Sequence, residues 1–324
     1  MRKLGYDDVY KVFFKILKYV AGPLIIVLLF YKIGLANIVD IAKTVRPFYF
    51  ILAYVLFVFS LLTAALNLHI ILRPLKVIAW ERFLTYYFAS RITTLILPGR
   101  LGEFSITYFL EKESINLGRG IAAVITDKLT TTFCSVVIGL LGSYFLFGKD
   151  HVLAIVIYIG LLFSFFALLL SKKIRYFIRK FILRKYAHHF QGFSITLFSY
   201  VKEHKWLTLL NTFITLFRIV LIAFSAKIIF LSIGEHVPLT TLILVEGLET
   251  LSTLIPLTIN GLGIKQAVGI YVFSKIGISP EISGTRYLIG LFIQYSFGLF
   301  TTIFLRKLEK KEEKEEQKQH ETPH

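Results

Sequence analysis

Leu97-Pro98-Gly99-Arg100-Leu101-Gly102-Glu103 interrupts an otherwise apolar stretch of the chain. Proline removes a backbone donor and clashes with the turn before it, and the two glycines favour a turn, so no helix continues through this segment. The simplest arrangement is a hairpin that dips into the bilayer and returns: 83–97 inward, a break at 98–102, and 103–117 back. Residues 238–278 repeat the pattern, with a break from Pro256 to Gly263 that also holds Gly261. Thr94-Leu95-Ile96-Leu97-Pro98, then Leu101-Gly102, parallels Thr253-Leu254-Ile255-Pro256, then Leu262-Gly263. Each break is followed by an aromatic patch, a glycine turn (Gly118, Gly277) and a long span with charge near its start (Asp127-Lys128, Arg286). Non-helical backbone is tolerated at membrane depth only where protein or water covers it, so both breaks predict a polar cavity.

The rest of the chain supports a membrane setting. Apolar residues make up 56% and charged residues 18% of the 324, and mean hydropathy is +0.69; a soluble domain has roughly 45–50% and about a quarter. Apolar runs lie near 19–36, 48–72, 83–98, 120–147, 152–170, 206–233, 238–257 and 283–305, with a weaker one at 261–278. Most approach the length a helix needs to cross a bilayer. The expected fold is an all-α polytopic membrane protein. It has about six full spans, plus the two re-entrant broken hairpins 83–117 and 238–278 in opposite orientation, within one transmembrane domain at 19–305. Related units of opposite orientation are the mark of an inverted-repeat transporter.

Charge sets the orientation. Lys and Arg number 37 against 20 Asp and Glu, a net +17. Such an excess usually suggests nucleic acid, but its position says otherwise. Nine basic residues fall in 171–205, five in 1–18 and three in 73–82, while loops 148–151 and 234–238 hold one and none. Basic loops stay inside, which places both termini in the cytoplasm and the chain in the cell (inner) membrane. Eleven of the seventeen net charges then lie on one face, and nucleic acid is removed as a partner. Parity follows too: if each of the first five runs crossed once, the nine-charge segment would land outside. One run before residue 120 must therefore fail to cross, or cross twice with its neighbour, and 83–117 is the candidate. In 171–205, Ile174, Phe177, Ile178, Phe181 and Ile182 alternate with Arg175, Arg179, Lys180, Arg184 and Lys185, as in a helix lying on anionic phospholipid. Residues 1–18 read as an interfacial amphipathic helix. A signal peptide ending near Gly34-Leu35-Ala36 is the alternative, opposed by the length of the leader and by Asp7 and Asp8. The tail, 306–324, balances six basic against six acidic residues and reads as disordered or as a frayed helical extension.

Ionisable groups inside apolar runs are costly and each needs a reason. Arg100 and Glu103 share a face if the returning half-helix starts at the break. Arg100 would grip a lipid phosphate through its guanidinium fork and Glu103 would orient it; a mutual ion pair is the alternative. Lys265 takes the equivalent place in the second unit, as another phosphate contact or as a lysine snorkelling to the headgroups. Arg91 is placed to meet Glu103 or a phosphate, and Asn260 completes the substrate-facing set. Asp127 and Lys128 point about 100° apart on a helix, so one can face the cavity and the other a neighbour. Glu246 and Glu249 share a face and can meet Arg286 or Arg218, or couple to a proton or cation. Pro98, Gly99, Gly102, Pro256, Gly261 and Gly263 form the breaks. Gly139 and Gly142 read as sites of close helix packing. Lone Cys134 excludes an internal disulfide, and His188, His189 and His204 lack metal-ligand spacing. There is no Gly-Lys-Ser/Thr phosphate loop and no nucleophile–base pair, so neither a cofactor nor an enzymatic activity is expected.

Pro98-Gly99-Arg100-Leu101-Gly102-Glu103 resembles the Pro-x-Arg-x-Gly-Glu motif of the flippase-like transmembrane domain of lysylphosphatidylglycerol synthases and their stand-alone relatives. Asp127-Lys128 sits where that family commonly has Glu-Arg. Pro256 through Gly261-Leu262-Gly263-Ile264-Lys265 is similar to its second motif, Pro…Gly-Gly-x-Gly-x-Arg-Glu, with two departures: Asn260 replaces a glycine and Gln266 a glutamate. The likeness spans roughly 20–305. With nineteen residues after the last span, the expectation is a stand-alone member without the fused aminoacyltransferase domain. The resemblance implies lipid translocation for the synthases and a membrane transporter-like domain for stand-alone members; the expected function is a lipid transporter that moves an anionic or aminoacylated phospholipid, or a polyprenyl-phosphate-type lipid, between leaflets. A membrane-embedded lipid-phosphate transferase or hydrolase with Glu103 or Asp127 as base is one alternative. A non-catalytic subunit of a lipid-modifying assembly is another. Expected partners are membrane lipids and a lipid-modifying synthase or glycosyltransferase; self-association stays open.

Overall fold

The computed structural model describes residues 21–96, 101–149, 192–254 and 261–321, with Leu153, Val156, Gly160 and Thr258 between them. Readings that fall on 1–18, Pro98, Gly99, Arg100, the run 152–170, the basic stretch 171–191, Pro256 and Asn260 lie outside the described residues. Among those described, every regular element is helical. In chain order they are α1 (Ala21–Ile33), α2 (Leu35–Lys43), α3 (Pro47–Leu72), α4 (Trp80–Ile96), a 3-10 turn (Leu101–Ser105), α5 (Ile106–Lys112), α6 (Leu117–Phe147), α7 (Phe193–Lys202), α8 (Lys205–Ser232), α9 (Leu239–Ser252), α10 (Ile264–Lys275) and α11 (Pro280–Glu321).

Among the described residues, four helices are long and apolar enough to cross a membrane: α3, α6, α8 and the first 28 residues of α11. A fifth is reached if α1 and α2 count as one span bent by 86°. Gly34 makes that bend with φ 103°, a left-handed conformation that strains any residue with a Cβ. Pro47 opens α3 where its missing N–H has no helical partner to lose. α11 does not stop at the expected span end near residue 305 but runs on as helix to Glu321.

The two broken stretches fold as hairpins. In the first, α4 leads in and the 3-10 turn and α5 lead back, with the return stroke ending at Lys112 rather than near 117. Its base is clamped by Glu113. Lys76 Nζ donates to the Glu113 backbone oxygen at 2.9 Å and to its carboxylate at 3.1 Å, and Arg82 Nη1 and the Tyr86 hydroxyl reach the same carboxylate at 3.3 and 3.1 Å. Both strokes therefore begin and end at one level, beside the end of α3. At the tip the backbones touch: a Cβ on Gly102 would run into the backbone of Thr93 and Thr94. The non-helical Gly102 carbonyl accepts from Ser90 at 3.2 Å, Thr93 at 3.1 Å and Ser105 at 2.7 Å, which is how a break survives away from water.

In the second hairpin, α9 leads in and α10 leads back. Val237, Leu242, Phe273 and Ile278 share one buried cluster at its base, and the Phe273 ring lies 5.1 Å from that of Phe230 near the end of α8. The start of α8 lies at the first hairpin's base, where the Tyr200 hydroxyl donates to Ile71 O at 2.6 Å. Because α8 is 28 residues long, or roughly 40 Å, the two bases lie at opposite ends of the bundle. The tips point toward each other. Gly261 and Gly263 have φ of 72° and 86°, and the Gly263 N–H donates to Gln266 Oε1 at 2.7 Å, capping α10. Glutamine thus performs by hydrogen bond the capping a glutamate would perform, without its charge. Small residues set a close helix contact between α6 and α9, as expected where lipid removes the hydrophobic drive between helices. Gly139 and Gly142 of α6 face Gly247 and Leu244 of α9, and a Cβ on Gly247 would sit 2.7 Å from Gly139 N.

The Glu113 clamp carries a pH signature. Burial pushes its carboxyl up, but hydrogen bonds from Lys76, Arg82 and Tyr86 outweigh that and hold it below the usual range. A group with a depressed folded pKa stabilises fully above its unfolded value, about 4.3, and loses that contribution as pH falls through the folded one. Glu113→Gln is therefore expected to cost about 1–2 kcal/mol near pH 7, the exposure of Lys76 and Arg82 reducing the yield. Thermal unfolding in detergent from pH 7 to 3.5 checks this, because the wild type should lose its advantage over the variant below about pH 4.

Candidate functional site

The two hairpin tips, α3, α6, α8 and α11 enclose a cavity of about 260 Å³. Arg91 and Glu103 come from the first hairpin, Lys128 and Thr131 from α6, Arg218 from α8, Glu246, Lys265 and Gln266 from the second hairpin, and Gln294 from α11. A side chamber of about 140 Å³ reaches Arg286 and Tyr287 and shares Glu246, Lys265, Gln266 and Gln294 with it. The breaks are what make this possible. Helix termini turned inward leave space at mid-bundle that continuous helices would fill.

Each lysine in the cavity is held by two carboxylates. Lys128 Nζ lies 2.8 Å from Glu103 Oε2 and 3.3 Å from Asp127 Oδ2. Lys265 Nζ lies 2.8 Å from Glu246 Oε1 and 3.3 Å from Glu249 Oε2. Lys265 is thus turned inward onto acids and does not extend along the surface, as the snorkelling alternative required. Arg286 Nη1 is 3.9 Å from Glu249 Oε1, its guanidinium stacks 4.3 Å over the Tyr287 ring, and the Tyr287 hydroxyl donates to Glu249. Glu249 is fully buried. These are the pairings that a buried charge needs to offset its desolvation.

Asp127 and Lys128 divide as their helical angle demands. Lys128 lines the cavity, while Asp127 is gripped from neighbouring helices: Asn67 Nδ2 of α3 donates to it at 3.2 Å and Asn211 Nδ2 of α8 at 3.0 Å. Asn67 also donates to Thr215 Oγ1 at 2.9 Å. Sequence reasoning missed Asn67, Asn211 and Thr215. The signal was there, since an asparagine inside each of two apolar runs costs energy unless it has a partner.

Arg91 and Arg218 stand apart from this pairing. Arg218 Nη2 donates to Thr131 Oγ1 at 3.2 Å, not to Glu246 or Glu249, and its buried Nε has no hydrogen-bond partner. Arg91 lines the cavity and, among the described residues, has neither a hydrogen bond nor an ion pair. Among the described residues, five cations (Arg91, Lys128, Arg218, Lys265, Arg286) thus meet four carboxylates (Glu103, Asp127, Glu246, Glu249), and the Arg91 and Arg218 guanidinium groups face the space with donors to spare. That arrangement suits an anion with several acceptor oxygens.

Spanning helices around a charged internal cavity define a multi-pass membrane protein. The family model of the lysylphosphatidylglycerol synthase TM region matches residues 15–301, and the chain belongs to that family. No curated protein and no solved structure gives a significant match.

Proposed function

We propose that the protein is a lipid transporter that moves an anionic phospholipid headgroup between leaflets through the cavity. The observation that carries this reading is the pair Arg91 and Arg218, which among the described residues have no carboxylate partner, in a space where Lys128 and Lys265 are each neutralised. A phosphate there gains two guanidinium forks, and charge-assisted hydrogen bonds contribute about 1.5–3 kcal/mol each. Family membership supports a lipid-related role, since the family takes its name from the membrane part of a lipid-modifying synthase. In this reading the hairpins are re-entrant halves of an inverted repeat within about six spans, entering from opposite leaflets. The opposed bases support that, as does the way each tip packs on a terminal element: Gly263 against Ile25 of α1, and Gly298 of α11 against Leu95 of the first hairpin. Both termini then lie in the cytoplasm of a cell-membrane protein, and Arg100, Lys265 and Asn260 belong to the headgroup path.

Vesicles reconstituted with the protein and a reporter-labelled phosphatidylglycerol test this. Arg91→Gln and Arg218→Gln are each expected to slow movement about tenfold, the equivalent of roughly 1.4 kcal/mol, and the double variant to abolish it while the protein stays folded. The transported lipid should be recovered chemically unchanged by mass spectrometry. Undiminished movement in the double variant would reject the site, and a chemically altered lipid would favour the transferase or hydrolase alternative.

A further inference from the structure

Arg91 also lines a second, narrower space. Between α3, α4 and α11 lies a slot walled by Leu61, Ile92, Leu95 and Thr301 and closed by the rings of Phe57, Phe88 and Phe297. Its volume is about 20 Å³, room for little more than a single water, which needs roughly 10–15 Å³ by the same kind of measure. Arg91 and Gln294 belong to both the slot and the cavity, so the two meet at those side chains. Phe297 is the centre of the closure. Its ring lies 5.9 Å from Phe57 and 5.7 Å from Phe88, both edge-on, and 6.5 Å from Tyr54. Beyond it α11 presents Leu299 and Phe300, each 64% exposed, the apolar face a spanning helix turns to lipid.

A cavity of about 260 Å³ lined by charge can take a headgroup but is no place for acyl chains. Each methylene moved out of an apolar setting costs about 0.8 kcal/mol, so the chains of a lipid held at Arg91 must stay in hydrocarbon. The slot is the apolar passage that begins at Arg91. We propose that it is the lateral portal through which the acyl chains reach the bilayer while the headgroup occupies the cavity, with Phe297 as its gate. The proposal rests on the transporter reading, and it names the ligand by chemistry: a lipid with a phosphate for Arg91 and alkyl chains for the slot. Aromatic rings suit the gate because they seal by edge-to-face contacts worth about 0.5–1.5 kcal/mol each, small enough for a docked lipid to open. Gly298, one residue on, packs against the first hairpin: a Cβ there would press on Leu95 Cδ1, so a change in the spacing of α11 and α4 is felt at this pair.

The test uses the full chain in vesicles, with Cys134→Ser, Leu95→Cys and Gly298→Cys combined and the two thiols joined by a short reducible bis-methanethiosulfonate. Bridging should slow phosphatidylglycerol movement at least tenfold, and reductant should restore it. A phosphatidylglycerol with a diazirine in its acyl chain should label 88–95 and 297–301, and bridging should remove that label. Wild-type movement that is unaffected by bridging, with label spread over lipid-facing residues such as Phe59 and Phe224, would overturn the portal and leave the transporter reading standing. If the wild type moves no lipid, the transporter reading fails. The labelling pattern then decides the portal alone: label confined to the two segments supports it, and dispersed label overturns it.

Discussion

Glu249→Ala should lower folding stability in detergent by about 3–5 kcal/mol, the cost of stripping one partner from a buried ion pair. The carboxylate is fully buried and receives Lys265, Arg286 and the Tyr287 hydroxyl. Alanine would leave Lys265 with Glu246 alone and would remove the one carboxylate that Arg286 meets among the described residues. The loss should belong to the unpaired charge, not to the missing side chain. Glu249→Ala combined with Lys265→Met should therefore recover most of it, because a neutral site of similar volume costs far less than half of a broken pair. Chemical denaturation of both variants reads the difference. If the double variant is as unstable as the single one, the pairing of Lys265 with Glu249 contributes little and the network is held together by packing instead.

Gly247→Ala should cost about 3 kcal/mol or more, at the upper end of overpacking penalties. The added methyl would sit 2.7 Å from Gly139 N and 2.9 Å from the Ile138 carbonyl carbon. Backbone, unlike a flexible side chain, cannot swing aside. Gly290 of α11 is the matched control, since a Cβ there meets nothing within 4 Å. Alanine at that site should be neutral or stabilising by up to about 1 kcal/mol through helix propensity. Paired thermal melts in the same detergent separate the two expectations, and equal melting temperatures would remove the α6–α9 contact as a keystone. Gly247 also directly follows Glu246 and lies two residues before Glu249, so the contact that brings α6 and α9 together also brings Lys128 and Lys265 to one cavity.

Much of the architecture was legible in the chain. A run such as 48–72 has the length of a span and forms the 26-residue α3. The break before Glu103 and that before Lys265 were marked by proline and glycine, because those residues change what the backbone can do locally. The packing role of Gly139 and Gly142 was equally readable from their spacing. The end of the return stroke at Lys112 was not, since Glu113, which follows it, is held by Lys76 and Arg82 more than thirty residues away.

At the site, the sequence determined which groups are costly: Arg91, Glu103, Asp127, Lys128, Arg218, Glu246, Glu249, Lys265 and Arg286 all fall in apolar surroundings where a charge must have a reason. It could not say who meets whom. Lys265 reaches Glu246 across nineteen residues, Asn211 reaches Asp127 across eighty-four, and Arg218 turns to Thr131 and away from the glutamates. Pairings of that span depend on helix order and rotation, which no local spacing encodes. The membrane class, the hairpin breaks and the inventory of buried charge were therefore properties of the chain alone. Only the tertiary structure decided that the lysines are spent on carboxylates while two arginines are left facing the cavity, because neutralisation is a sum over neighbours, and neighbours are what folding assigns.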